Sequence, residues 1–500
     1  MRAAFEDVNE SMTNLQLRTS YSQQILPTLP GEAATYSGLE RLNFTSYRGW
    51  VAAQTSARSL FVSVGYPVPL QWPGRLSSSA RRTTRWLGHL WSRALFAGFL
   101  GLLLSAAAPL YATEGGASRT SDASAPESTL VSIGYLKQEL EPFVPLSRLN
   151  VKPEDLGVAG AKIALRDNNT TGKFTNPHFT LAVERVPVGG NAVAALKKLV
   201  EAGHHFVLVD APADVLLKLS DAVKGKDVLL FNVSAPDIRL RQEDCRANVL
   251  HTAPDLAMLA DALAQYLVWK KWSRWLVAKG PFPEDQAYLE AIRRSAKRFG
   301  ATIVEERPYK ATPGARRTDT GQQMIQLQMP VFTQGAPHYD VLIVADQREI
   351  FGPYLPFRTW DPRPVAGTAG LQAKSWHPAH EQWGATQMQN RFQRFADRFM
   401  LPLDHQAWIA VRAIGEAASR TSSGAYASIN TYIRGDRFDL AAFKGQKVTF
   451  RKWDGQLRQP LIIAGAELPV STSPQKGFLH EHEETDTLGI DEPESKCQLQ

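Results

Sequence analysis

The sequence predicts an α/β protein of two doubly wound, Rossmann-like lobes in tandem. Three observations lead there. Short apolar runs alternate with helical stretches from Thr129 onward, and the alternation begins again after Ala247 to Pro254. The chain, at 500 residues, also exceeds the roughly 250 to 300 that one core usually serves.

The first series opens with the strand LVSIGYL (Leu130 to Leu136), followed by a helix over Leu156 to Arg166 that the turn-forming string DNNTTG should stop. HFTLAVERV (His178 to Val186), a helix over Ala192 to Ala202, HFVLVD (His205 to Asp210), a helix over Ala213 to Val223 and DVLLFNV (Asp227 to Val233) complete it. The second series runs from a helix over Asp255 to Lys271 through strand Arg274 to Gly280, helix Glu284 to Phe299 and strand Ala301 to Tyr309. A helix near Gln322 and strands Asp340 to Asp346 and Pro364 to Thr368 close it. Helices over Gln387 to Phe399 and Gln406 to Arg420 then precede VTFRKWDGQLRQPLIIAG, where Asp454-Gly455 signals a hairpin between alternating strands.

Ahead of the body, Arg81, Arg82, Arg85 and Arg93 precede an uncharged run from Ala94 to Ala112 that ends in small residues. This is the form of a secretory signal peptide, with cleavage after Ala112 and a periplasmic destination; an uncleaved anchor is the alternative. Residues 1–75 read as an over-extended start, or else as a cytoplasmic extension. The expected organisation is thus 1–75 extension, 76–112 signal peptide, 113–129 polar linker, 130–253 with 387–455 lobe 1, 254–386 with 456–470 lobe 2, and 471–500 an acidic tail.

The formal charge of +7 is concentrated: Met1 to Ala112 holds ten Arg, no Lys and five acids, leaving the remaining 388 residues at +2. A nearly neutral body argues against a nucleic-acid partner. Two cysteines exclude a thiolate-based zinc site, and no metal or cofactor is expected. The HEHEE string at His480 to Glu484 reads as a solvated charge run, and Trp269, Trp272 and Trp275 as wedges between helix and sheet. GVAGA at Gly157 lacks the dinucleotide spacing, and neither GxSxG nor GxxxxGK[ST] occurs, so no enzymatic activity is expected.

Open α/β sheets bind ligands beyond the carboxyl ends of their strands, so two facing lobes make a cleft. The candidate ligand-binding residues are therefore Tyr135, Asp210, Ala211, Ser234, Ala235, Asp346, Gln347 and Thr368. Cys245 and Cys497, the sole cysteines of a secreted chain, are expected to form a disulfide that ties down the tail.

The order of elements, with CRANVLHTAPDLAMLADALAQYLVWKKW, EDQAYLEA, HQAWIAVRAIGEAA and VTFRKWDGQLRQ, resembles the type I periplasmic binding proteins, and among them the substrate-binding components of branched-chain amino-acid and amide ABC transporters. ALRDNNTTGKF, WHPAHEQWGATQ and ETDTLGIDEPESKC resemble the branch associated with PQQ-dependent alcohol dehydrogenase systems. The resemblance implies three crossovers, near Thr252 to Asp255, Trp383 to Thr386 and Gly455 to Pro460. It also implies a small-molecule ligand and an inner-membrane ABC permease as partners, with an accessory or sensor of a periplasmic quinoprotein alcohol dehydrogenase as the alternative role. In amino-acid binders of this kind a hydroxyl and an acid hold the ligand; here Pro236 and Ala369 stand in their places, so a plain amino acid is not expected unless Asp210 or Asp346 supplies the acid.

Overall fold

The computed structural model describes residues 129–141, 151–310 and 319–499, all within one compact unit, Ser118–Gln500. The expected signal peptide and the extension before it lie outside the described residues. Among those described, no helix is long and apolar enough to cross a membrane.

Lobe 1 is built on five parallel strands: β1 (Leu130–Gln138), β2 (His178–Val186), β3 (Phe206–Asp210), β4 (Leu229–Asn232) and β5 (Val249–His251), in the order β2-β1-β3-β4-β5. Helix α1 (Val158–Thr175) packs with one face of this sheet, and α2 (Ala192–Glu201) and α3 (Ala213–Ala222) with the other. With both faces covered, the strands lose the polar alternation of half-exposed sheets. Val207, Leu208 and Val209 are accordingly all fully buried.

Lobe 2 repeats the plan. Helix α4 (Leu256–Trp269), β6 (Arg274–Lys279), α5 (Pro283–Phe299), β7 (Thr302–Pro308), α6 (Asp319–Thr333), β8 (Val341–Ala345) and β9 (Val365–Gly367) give a parallel sheet in the order β7-β6-β8-β9. The chain then forms β10 (Gln372–Lys374) and returns to lobe 1 as α7 (Ala385–Ala396), α8 (Pro402–Thr421), α9 (Tyr426–Arg434), β11 (Leu440–Ala441), β12 (Lys447–Phe450) and β13 (Leu457–Arg458). It crosses again to β14 (Leu461–Ala464) and β15 (Pro469–Ser473), which join β10 in an antiparallel sheet.

Two sequence expectations are corrected. Helix α1 runs through DNNTTG rather than stopping there, because those residues are used as ties to α8: the Asn168 amide donates to Val411 O at 2.9 Å and the Trp408 indole to Asp167 at 3.1 Å. Packing along α8 outweighs their turn propensity, and the helix ends at Asn176 with φ 77°. Of the three tryptophans, Trp275 is buried, but Trp269 stands 51% exposed with the Lys270 ammonium over its ring, so it wedges nothing. The hairpin signal is met: β12 and β13 pair antiparallel around Gly455, at φ 68°.

Three crossovers, at Thr252 to Asp255, Ser375 to Gly384 and Gln459-Pro460, connect the lobes. Buried glutamines bind them to one another. Gln459 donates to Thr252 O at 2.9 Å, and Gln456 accepts from Arg241 at 2.8 Å while donating to Ala253 O at 3.2 Å. The acidic tail is packed over these crossovers. Fully buried Arg451 donates to Asp486 and to Leu488 O, Asp261 on α4 accepts from Gly489 N, and Cys497 is disulfide-bonded to Cys245 with Cα atoms 5.6 Å apart.

Candidate functional site

In both sheets the strand order reverses beside the first strand, between β1 and β3 in lobe 1 and between β6 and β8 in lobe 2. Ligands of doubly wound sheets collect at such switch points, past the carboxyl ends of the strands. Asp210 ends β3 and Asp346 follows β8, so the two aspartates occupy equivalent places in the two lobes.

Their environments differ. Asp210 is only partly buried, lies 3.5 Å from the Tyr135 hydroxyl, and has its pKa raised, chiefly by desolvation, with the Ser234 hydroxyl and Lys137 pulling it back down. Asp346 is 1% exposed, and one carboxylate oxygen accepts from Phe351 N and Gly352 N, both at 2.7 Å. That oxygen shapes its own loop, whereas Oδ1 is buried with no hydrogen-bond partner among the described residues.

Ser234 and Thr368 play matching parts. The Ser234 hydroxyl accepts from Ala211 N at 3.1 Å; the Thr368 hydroxyl accepts from Asp346 N at 3.0 Å and donates to Val344 O at 3.2 Å. Each ties the end of one strand to its neighbour. Ala235 is buried, and its carbonyl accepts from Asn232 and Arg241. Tyr135 is fully buried as well, its pKa pushed up by burial and then by Asp210, and its hydroxyl lies where a Cβ on Gly157 would come, at 2.2 Å. The structure therefore brings Tyr135, Asp210, Ala211, Ser234 and Ala235 together at the strand ends of lobe 1, and Asp346, Gln347 and Thr368 together at those of lobe 2. Asp210, Ser234, Gln347 and Thr368 keep exposed surface, whereas Tyr135, Ala211, Ala235 and Asp346 are interior supports.

Two residues escaped the sequence reading. Asp285, in the first turn of α5, is fully buried and accepts from Phe282 N at 3.0 Å and Gln347 N at 2.6 Å, so it fixes the loop after β8. Its signal was present, as the acid in the EDQAYLEA helix start. Lys374, at the end of β10, lies near Glu349 of that loop and has its pKa lowered by desolvation. Nothing in QAKSW marks it, because only the pairing of β10 with β14 brings it to the loop.

Residues 154–331 match the protein-family model described as periplasmic binding protein. Among solved structures, the chain is similar to a branched-chain amino-acid ABC transporter periplasmic ligand-binding protein from Burkholderia xenovorans, at 15% identity and a TM-score of 0.57 over 74% of this chain and 99% of that one. It is also similar to a leucine-, isoleucine-, valine-, threonine- and alanine-binding protein from Brucella ovis, at 14% identity and 0.56 over 73% and 98%. A solute-binding protein of an ABC transporter from R. palustris, in complex with benzoate, aligns at 9% identity and 0.52 over 74% and 99%. No curated protein matches the sequence. At these identities the likeness establishes the fold, which is that of the type I periplasmic binding proteins.

Proposed function

We propose that this chain, having the type I periplasmic binding fold, is a periplasmic solute-binding protein that closes its two lobes on a small molecule and presents it to an inner-membrane ABC permease. The observation that carries this reading is the pairing of two switch points, each ending in an aspartate, across lobes joined by three crossovers. Hinge closure around a ligand is the established use of such lobes. Nearly the whole length of each binding protein named above, two of them described as belonging to ABC transporters, aligns with this chain.

The ligand follows from which groups remain available. With Pro236 and Ala369 in place of a hydroxyl and an acid, two carboxylates remain: Asp346, whose Oδ2 is engaged by Phe351 N and Gly352 N while its buried Oδ1 has no hydrogen-bond partner among the described residues, and Asp210, which keeps exposed surface and is the one assigned here to meet a cation or donor. Lys374 adds a cation on the side of lobe 2. A ligand with a donor or ammonium at one end and an acid at the other would suit both. The link to PQQ-dependent alcohol oxidation, by transport or by an accessory role, is supported by the sequence resemblance of ALRDNNTTGKF and ETDTLGIDEPESKC.

A thermal-shift screen across amino acids, aromatic acids, alcohols, amides and PQQ tests the reading. A true ligand at 100 times its dissociation constant stabilises by about 2.7 kcal/mol, and Asp210→Asn should weaken it at least tenfold. A ligand that binds Asp210→Asn and the wild type equally would overturn the role of Asp210. A screen with no stabilising compound would count against solute capture itself.

A further inference from the structure

Away from the strand-end residues of both sheets, on the flank of lobe 1, a groove of about 960 Å³ runs between α1, α7 and α8 and is walled by the β11–β12 segment. Arg166 lies nine residues beyond Gly157 along α1, about 13 Å from the end that meets Tyr135, so the groove is separate from the switch point.

Its charges do not cancel. Each of its three acids is already paired with a cation of the same groove: Asp167 with Arg391 at 2.7 Å, Glu416 with Arg420 at 2.8 Å, and Asp439 with Lys447 at 2.6 Å. Three further guanidinium groups, on Arg166, Arg394 and Arg412, line the same space and have no carboxylate partner within ion-pair distance among the described residues. They come from three different helices. Arg412 is bonded through one nitrogen to the Asn168 amide oxygen, and desolvation lowers its pKa, with Asp167 and Glu416 acting against that shift. Trp408 and Phe443, with ring centroids 5.5 Å apart, supply apolar surface beside the charges.

Like charges drawn together at a concave, partly buried place cost stability unless something of opposite charge enters. Guanidinium forks match the oxygens of phosphate and carboxylate, and the volume is that of a small-molecule site. We propose that this groove is a second binding site, for a small organic polyanion carrying two or more phosphate or carboxylate groups, held by Arg166, Arg394 and Arg412.

Calorimetry on the full chain at 150 mM salt, with inorganic pyrophosphate and with citrate as probes, tests it. Saturable binding of at least one probe is expected, weakened tenfold or more in the Arg166→Gln/Arg394→Gln double variant, whose changes fall on exposed side chains. Pyrophosphate alone binding would narrow the class to phosphorylated compounds; both binding would show that charge number decides. Arg412→Gln should abolish binding; should that variant fail to fold, because it removes a half-buried group, the exposed double variant still decides the matter. Absence of saturable heat with either probe overturns the proposal, as does an unchanged dissociation constant in the double variant. A long acidic peptide that binds where both probes fail would also overturn it, in favour of a protein-docking face.

Discussion

Lys444 is 3% exposed and gives its ammonium two acceptors, Gln459 Oε1 at 2.8 Å and Pro460 O at 3.0 Å, at the third crossover. Burial brings its pKa down from 10.5 to about 7. Between those values the unfolded chain holds a proton that the folded one lacks, so stability contributed by this group rises with pH through the window, by about 1.4 kcal/mol per unit. Replacing it, as Lys444→Met, should remove that slope. Urea unfolding at several values between pH 7.5 and 9.5 would check this: the stability of the wild type relative to the variant should rise steadily with pH, and a constant difference would be the contrary result. Nothing in the string FKGQK distinguishes Lys444 from Lys447, which is exposed and paired with Asp439. Burial of a single lysine is decided by its neighbours in space.

At the scale of elements, periodicity placed most strands and helices of both sheets to within a few residues, because apolar runs with both faces covered differ plainly from the polar stretches between them; it missed the three-residue strand β5 and ended α1 nine residues early. It failed where one element leans on another distant in sequence. Helix α8 begins four residues before the expected start, with Pro402 in its first turn and the Asp404 carboxylate accepting from Leu401 N at 3.0 Å, and the same carboxylate accepts from Gly157 N at 2.8 Å to anchor the start of α1. Strand β9 depends on Gly367, whose φ of 114° and approach to β8 leave a Cβ only 2.3 Å from Val344 O. Gly367→Ala is expected to cost about 3 kcal/mol from backbone strain and overpacking together. Denaturant titration would detect it; a change below about 0.5 kcal/mol would mean that β9 shifts without penalty.

For the whole molecule, the tail acts as a clasp across the hinge. It is bonded to lobe 1 through Cys497 and Arg451, and to lobe 2 through Asp261, which also pairs with Arg294 at 2.9 Å and Arg298 at 3.0 Å. The cysteines are 252 residues apart in sequence. Closing so long a loop stabilises by about 5 kcal/mol in the chain-entropy model, an upper figure since long crosslinks often deliver less. The Cys245→Ser/Cys497→Ser variant should therefore unfold at lower denaturant by at least 2 kcal/mol and lose hydrogen-exchange protection first around Leu488 to Ile490. Wild-type stability in the variant would show that the buried Asp486 and Leu488 hold the tail unaided.

Composition and hydrophobic period by themselves determined that this chain folds as two α/β lobes in tandem and that Asp210, Ser234, Asp346 and Thr368 stand at strand ends, since period and turn chemistry are local properties written along the chain. Which of those residues keeps exposed surface was decided by the tertiary structure. Asp346 and Asp210 have the same address in their lobes, yet two backbone N–H groups from Phe351 and Gly352 engage the first, while the second keeps part of its surface beside Tyr135. The unpaired arginines on α1, α7 and α8 also become one feature only when three helices distant in sequence are set side by side. Burial and charge pairing are relations among residues far apart in the chain, and packing alone creates them.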